Sequence, residues 1–390
     1  MLNQIKQMCI SLILTFVKRN YIVFESFPEL DGSPWAIYQD FLKRGIDRKY
    51  KLVWLVDAGY TPPSNIKSIP FFGNLSIVQK IKRALLLFKT KLIIDSNRYV
   101  YKRNKKTIRL HTRHGGTLKR ADFYSDSIGS LDFILSLSRN CSVVESSVVY
   151  KKAGLAREKF LPLGYPNNDR LFDPIDFDES GFWKEVAGGK GCYRKIIGWM
   201  PTYRKDNKGK NFVSSRTFPF GIPLVYHKKS LDYLNEILKK VNVLLAIKIH
   251  HAQKADYSLQ NYSNIVLISP KLLEKFSVSM MELIKSFDAL ITDYSAIYYE
   301  YLLLNRPIAL SIDDYKEYLN GYGFCVDYFD WIKGVYLKDD SDLINFIEDV
   351  AKGIDSAKDE REITMHQIYD NIDNKSTQRV VDFLVQEIKL

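Results

Sequence analysis

The chemistry in this sequence is concentrated in a few short runs that combine histidine, glycine, hydroxyl and basic side chains. His114 opens HGGTLK at 114–119, inside the run HTRHGGTLKR at 111–120. Gly115 and Gly116 let backbone approach a ligand closely, and Lys119 and Arg120 can neutralise phosphate. An imidazole titrates near neutral pH, so His114 suits the movement of a proton. His111, on the strand side of the same run, reads as structural. A second histidine pair ends LAIKIHH at 245–251. Side chains alternate along a strand, so Lys248 and His250 share one face while His251 turns to the other or into the loop. His250 then fits an acid or a phosphate ligand, with packing as the alternative.

Three further runs supply anion chemistry. TDYSA at 292–296 leads straight into a helical pattern, so Asp293 or Ser295 should cap that helix. Its free N–H groups, up to Ala296, would form a site for a pyrophosphate, unless the cap works without a ligand. MPTYR at 200–204 makes a rigid turn that offers the Thr202 hydroxyl and the Arg204 guanidinium, a fork suited to phosphate. GYPNND at 164–169, with Asn168 and Asp169, is another polar turn where two domains would join.

Several classes are excluded. There is no GxxxxGK[ST] loop, GxGxxG, GxSxG or HExxH, which removes P-loop NTPases, and disfavours dinucleotide oxidoreductases, hydrolases with a nucleophile elbow and zincins. Few carboxylates accompany the histidines, so no metal site is expected and no cofactor is tightly bound; a divalent-metal requirement stays open. Cys9, Cys141, Cys192 and Cys325 lie far apart without CxxC spacing, which points to a reducing, cytoplasmic setting.

The elements that must position these runs are legible as two series. Short apolar strands are expected at 21–24, 52–56, 92–95, 107–110 and 132–137, then at 195–200, 243–249, 264–268, 288–292 and 307–311. Helical patterns fill the gaps, at 230–240, 279–287, 295–304, 340–350 and 377–389. The alternation predicts an α/β fold of two Rossmann-like, doubly wound domains facing a cleft at the C-terminal ends of their strands. The division expected is an amphipathic helix over 1–20, an N-terminal acceptor-binding domain over 21–175, a C-terminal nucleotide-binding domain over 190–375 and a final helix over 376–390.

Charge is unevenly placed. The 390 residues carry 57 Lys plus Arg against 45 Asp plus Glu, a net of +12. Residues 1–150 hold 24 basic and 11 acidic residues, so the whole excess lies there. It is densest from Lys80 to Arg120, where 14 basic residues meet one acid, Asp95. Such a field attracts anionic partners to one domain. At the N-terminus, Ile5, Met8, Leu12, Ile13 and Phe16 share one helical face opposite Gln4, Gln7, Ser11, Thr15 and Lys18. That helix either docks on its own domain or lies in lipid headgroups, and the basic cluster favours the membrane surface.

In order, these motifs resemble the CDP-glycerol glycerophosphotransferase family, which makes teichoic acids and teichoic-acid-like capsules. IVFESF at 22–27 matches its opening strand, HGGTLK its HGTPLK loop and GYPNND its GYPRND turn. MPTYR corresponds to its APTWR turn, KIHH at 248–251 to its K-x-HP strand end and TDYSA to its TDYSS helix start. Departures are Gly116 and Thr117 for the family's Thr and Pro, Asn167 for its Arg, His251 for its Pro and Ala296 for its second Ser.

The resemblance implies a GT-B-like fold and a CDP-glycerol donor. An acceptor hydroxyl on a lipid-linked glycan or polyol phosphate would attack the β-phosphate and release CMP, as a priming step at the inner face of the cell membrane. His114 would be the base, and His250 would stabilise or protonate the phosphate in flight. Thr202, Arg204, Lys248, Asp293, Ser295 and Ala296 would hold the donor, with Gly115, Gly116, Lys119, Asn168 and Asp169 supporting acceptor or loop. The partners implied are CDP-glycerol, the lipid-linked acceptor and an anionic membrane surface, with no nucleic acid. Alternatives are a CDP-ribitol transferase, a GT-B glycosyltransferase using a sugar nucleotide, and a non-catalytic basic module that binds anionic lipid or RNA.

Overall fold

The structure, a computed structural model, describes residues 18–98, 100–113, 115–116, 118–119, 130–187, 193–202, 218–249, 259 and 261–390. The N-terminal amphipathic segment therefore lies outside the described residues. The chain forms two compact units. The first comprises residues 1–114, 122–169 and 373–390, and the second comprises 115–121 and 170–372.

The first unit is built on a seven-stranded sheet in the order β3-β2-β1-β4-β5-β6-β7. Its strands are β1 (Tyr21–Phe24), β2 (Lys51–Asp57), β3 (Ser68–Phe72), β4 (Thr90–Asp95), β5 (Ile108–His111), β6 (Phe133–Leu135) and β7 (Phe160–Leu161). Every pairing is parallel. Strands covered on both faces read as continuous apolar runs, as in KLVWLVD of β2, where Leu52 to Val56 are all buried. Val23, Val53, Leu55 and Ile93 pack with Leu86 and Leu87 of the helix Ile77–Phe88 to form one core. That helix starts at a reciprocal cap: Ser76 accepts from the Gln79 N–H, and the Gln79 side chain accepts from the Ser76 N–H.

The second unit carries a six-stranded parallel sheet in the order β10-β9-β8-β11-β12-β13. These strands are β8 (Lys195–Trp199), β9 (Val243–Ile247), β10 (Ile265–Leu267), β11 (Ala289–Thr292), β12 (Ile308–Ser311) and β13 (Val335–Leu337). The helix Lys228–Val241 buries Leu231, Leu234 and Leu238 at i, i+3 and i+7 spacing against this sheet and ends at Asn242 in a left-handed cap. In both units the chain works outward from a central strand to one edge, then returns to that strand's other side. This reversal creates a topological switch point, between β1 and β4 in the first unit and between β8 and β11 in the second. Ligands of open parallel sheets bind outside the strand C-terminal ends at such points.

The α/β class and the two Rossmann-like sheets agree with the sequence reading. Three strands escaped it. β3 contains Pro70, which lacks an N–H and is tolerated because β3 is an edge strand. β7, of two residues, is too short to carry a period, and β13, of three, is like β3 an edge strand without a continuous apolar run.

Candidate functional site

The second unit gathers five of the singled-out residues, Thr202, Lys248, Asp293, Ser295 and Ala296, at and beside its switch point. The Met200 N–H donates to Ile291 O at 2.9 Å and the Thr292 hydroxyl donates to Met200 O at 2.8 Å, so the turns after β8 and β11 are laced together. Asp293 is fully buried and faces Thr202. The Thr202 N–H donates to both carboxylate oxygens, at 2.8 and 3.0 Å, and its hydroxyl donates to Oδ1 at 2.6 Å. The Tyr294 N–H donates to the same Oδ1 at 2.6 Å. Asp293 therefore fixes where the Thr202 backbone and hydroxyl point.

This corrects one expectation. Neither Asp293 nor Ser295 caps the following helix, Ile297–Leu302; Ala296 stands at the cap position without a side-chain bond. The physical reason is competition: the buried carboxylate is drawn to the Thr202 N–H and hydroxyl and to the adjacent Tyr294 N–H. Tyrosines reinforce the turn from below. The Tyr328 hydroxyl donates to Asp293 O at 3.1 Å, and the Tyr294 hydroxyl donates to Asp314 at 2.9 Å.

Lys248 follows β9, the neighbour of β8, and its N–H donates to Trp199 O at 2.9 Å. Partial burial pushes its ammonium pKa down. A desolvated cation beside a switch point has lost water contacts that an anionic ligand can replace. Thr202, Lys248, Asp293, Ser295 and Ala296 thus come from the ends of three adjacent strands.

The glycine-rich loop also packs within this unit. Gly115 has a φ of +72°, and a Cβ there would lie 2.4 Å from the Ala296 Cβ. A Cβ on Gly116 would lie 2.2 Å from the Tyr299 ring. Lys119 forms an antiparallel bridge with Phe324, and the Cys325 N–H donates to Leu118 O at 2.8 Å. The loop therefore lies flat on Ala296 and Tyr299 and is tied down on its far side.

In the first unit, a buried network leads into the same loop. Asp95, at the end of β4, receives Arg109 Nε at 2.7 Å and His111 Nδ1 at 2.7 Å, and all three are buried. Burial pushes the Asp95 carboxyl up, but Arg109 and His111 outweigh it and hold it below the ordinary value. Burial also pushes the His111 imidazole down, against the pull of Asp95. A neutral His111 that donates from Nδ1 satisfies this arrangement, in line with its structural reading. Arg113 adopts a left-handed φ of 58° and binds the buried Glu145.

Asn168 and Asp169 belong to the first unit. Asp169 accepts from the Ser376 and Thr377 N–H groups at 2.9 and 2.7 Å, so it caps the last helix, Ser376–Glu387. Gly164, at φ +80°, passes so close to Ser376 that a Cβ would lie 2.6 Å from its hydroxyl. This turn docks the C-terminal helix. His114, Arg204, His250 and His251 lie outside the described residues.

The sequence reading missed the partners that hold the site. Tyr299 and Glu145 carry no motif signal, since their roles depend on long-range contact. Glu25 stood inside a quoted strand without a role. It is buried, accepts the Ser96, Asn97 and Arg98 N–H groups at 3.1 to 3.2 Å and binds Arg98 Nε at 2.8 Å. Arg98 also reaches Glu29 and Asp57, at 2.9 and 2.7 Å. Arg98, Arg109 and Arg113 are thus members of the basic cluster that are spent on internal carboxylates. Among the described residues, no group of His, Cys, Asp and Glu is arranged to hold a metal ion, and no helix is long and apolar enough to cross a membrane.

Comparison with known proteins places this geometry. A teichoic acid glycerol-phosphate transferase of Staphylococcus aureus is 23% identical over 93% of this chain and 92% of its own length. A teichoic acid poly(ribitol-phosphate) polymerase of Bacillus spizizenii is 28% identical over 60% of this chain, which spans only 34% of that relative. The solved structure of the wall teichoic acid polymerase TagF superposes with a TM-score of 0.70 over 96% of this chain and 91% of its own, at 21% identity, and shares the GT-B-like fold. The model of CDP-glycerol:poly(glycerophosphate) glycerophosphotransferases matches from residue 7 to residue 386, through both sheets and every turn described above, and the chain belongs to that family.

Proposed function

We propose that the protein transfers glycerol phosphate from CDP-glycerol to a hydroxyl of a lipid-linked saccharide or polyol-phosphate acceptor, and that it does so as a priming step in teichoic acid or teichoic-acid-like capsule synthesis. The observation that carries this reading is the convergence of Thr202, Lys248, Asp293, Ser295 and Ala296 at the β8/β11 switch point of a chain matched by the family model along nearly its whole length. In the reaction the acceptor oxygen forms a bond to the β-phosphorus, and the bond from that phosphorus to the bridging oxygen of CMP breaks. CMP leaves with the bond electrons.

His114 takes the hydroxyl proton. Its neighbour Gly115 lies against Ala296, which supports a base held close to the donor turn. His250 and Arg204 stabilise the phosphate, Lys248 and Ser295 bind the diphosphate, and Asp293 acts as a positioning residue through Thr202. Lys119, Asn168 and Asp169 support the loops on which the acceptor side depends. The enzyme works at the inner face of the cell membrane, where a lipid-linked acceptor is presented.

A second reading, CDP-ribitol as donor, is favoured by the 28% identity to a poly(ribitol-phosphate) polymerase. The mechanism is tested with His114→Ala. Turnover should be abolished while titrated CDP-glycerol still binds nearly as tightly. Persistent turnover would remove His114 from the chemistry. Mass analysis of the product on a defined acceptor separates a single addition from polymerisation.

A further inference from the structure

The helix Ile77–Phe88 of the first unit has two apolar faces, and only one is buried. Leu86 and Leu87 enter the core, whereas Ile77, Val78, Ile81 and Leu85 are 76%, 60%, 55% and 55% exposed. At 100° per residue these four side chains fall within an arc of about 100°, so they form a continuous ridge along the helix. Lys80 and Lys82, both exposed, flank the ridge on opposite sides. The segment that carries the helix is uniformly basic: between Asp57 and Asp95 the sequence has no acidic residue, while Lys67, Lys80, Lys82, Arg83, Lys89 and Lys91 all lie there.

A soluble surface rarely exposes a contiguous aliphatic ridge without a partner. The charge pattern selects the occupant. A second copy of this chain would bring its own lysines against Lys80 and Lys82, whereas a bilayer containing anionic lipid accepts both features at once. The aliphatic tips enter the boundary between headgroups and acyl chains, and the lysine stems run alongside while their ammonium groups reach phosphate.

We propose that the ridge of Ile77, Val78, Ile81 and Leu85, rimmed by Lys80 and Lys82, is the element that seats this protein on an anionic bilayer. This deepens the reading that the enzyme works at a membrane surface, and it moves the main contact from residues 1–20 and the Lys80–Arg120 cluster as a whole to one helix face.

The test is co-sedimentation of the full-length protein with vesicles of phosphatidylcholine alone or mixed with phosphatidylglycerol. The native chain should bind only the anionic vesicles and release as salt is raised. Ile81→Asp with Leu85→Asp should weaken binding by roughly tenfold or more, and Lys80→Gln with Lys82→Gln by roughly tenfold. Both double variants change exposed side chains, so their circular dichroism and turnover on a water-soluble acceptor should match the native protein. Native-like binding by the Ile81/Leu85 variant would overturn the proposal. So would binding that ignores anionic lipid, loss of binding only with Leu12→Asp and Phe16→Asp, or a ridge that drives self-association in place of vesicle binding. If the native protein bound vesicles through the ridge but turned over no CDP-glycerol, the transferase reading would fall and the docking surface would stand.

Discussion

Gly116 lies flat against the ring of Tyr299, with room for no side chain between them: a Cβ would fall 2.2 to 2.5 Å from three ring carbons. Next to it, Gly115 meets Ala296 in the same way. Gly116 and Ala296 stand where the family pattern has Thr and Ser. These two departures therefore lie in adjacent contacts, Gly116 on Tyr299 and Gly115 on Ala296, in which smaller residues let the glycine loop settle onto the start of the helix Ile297–Leu302.

Restoring the family residue at Gly116 should consequently harm this protein. Gly116→Thr forces the Tyr299 ring or the loop to move, at about 1–3 kcal/mol for an overpacked contact. We expect a lowered Tm and a kcat/KM reduced by tenfold or more. Gly116→Thr combined with Tyr299→Ala should recover part of the activity, and failure of the pair to couple would show that the contact is incidental.

Asp293 is expected to act through Thr202. Asp293→Asn replaces one acceptor oxygen by a donor that faces the Thr202 N–H, leaving a buried polar group unsatisfied at about 1–3 kcal/mol. Because it acts on donor placement, KM for the donor should rise more than kcat falls. A uniform loss of folded protein with unchanged KM would assign it a structural role alone.

The network in the first unit makes a stability prediction. Asp95→Asn removes the carboxylate charge that faces the buried Arg109 guanidinium and should cost about 3–5 kcal/mol in urea unfolding. His111 adds a pH dependence of defined sign. Its imidazole is depressed in the folded chain, so the unfolded chain binds more protons below an ordinary value of about 6.5, and stability should fall as pH is lowered through that value. His111→Gln should flatten this slope.

Glu300 predicts the opposite slope. It is buried in the helix Ile297–Leu302, and burial pushes its carboxyl up to about 7. The folded chain therefore holds a proton that the unfolded chain loses above about pH 4.3, and stability should fall as pH rises from there to about 7. Glu300→Gln removes the cost of ionising a buried group, raising stability by about 3 kcal/mol at pH 8 and little at pH 4. Thermal melts at the two pH values check both the size and the sign.

How far the sequence carries such an account differs from element to element. β1, β2 and β4 were legible because strands covered on both faces read as unbroken apolar runs. β3 was hidden by Pro70, whose acceptability depends on being at an edge that only the folded sheet defines. The Thr202 and Asp293 turns could be located from their position after strands, but their bond to each other required the knowledge that β8 and β11 are neighbours. The Lys80–Arg120 charge reads as one field in sequence. In the fold, Arg98, Arg109 and Arg113 turn to Glu25, Asp95 and Glu145, while Lys80 and Lys82 remain outside. Likewise, periodicity alone cannot say which of the two apolar faces of the helix Ile77–Phe88 is buried.

The proposed reaction places a CDP-alcohol donor at the β8/β11 turns, with glycerol as its alcohol. The most direct measurement is CMP release by the purified protein, supplied with a defined lipid-linked acceptor and offered CDP-glycerol, CDP-ribitol or UDP-sugars in parallel. Acceptor-dependent CMP release from CDP-glycerol is expected, with one glycerol phosphate gained by the acceptor. Release from CDP-ribitol or a UDP-sugar alone, with none from CDP-glycerol, would contradict it.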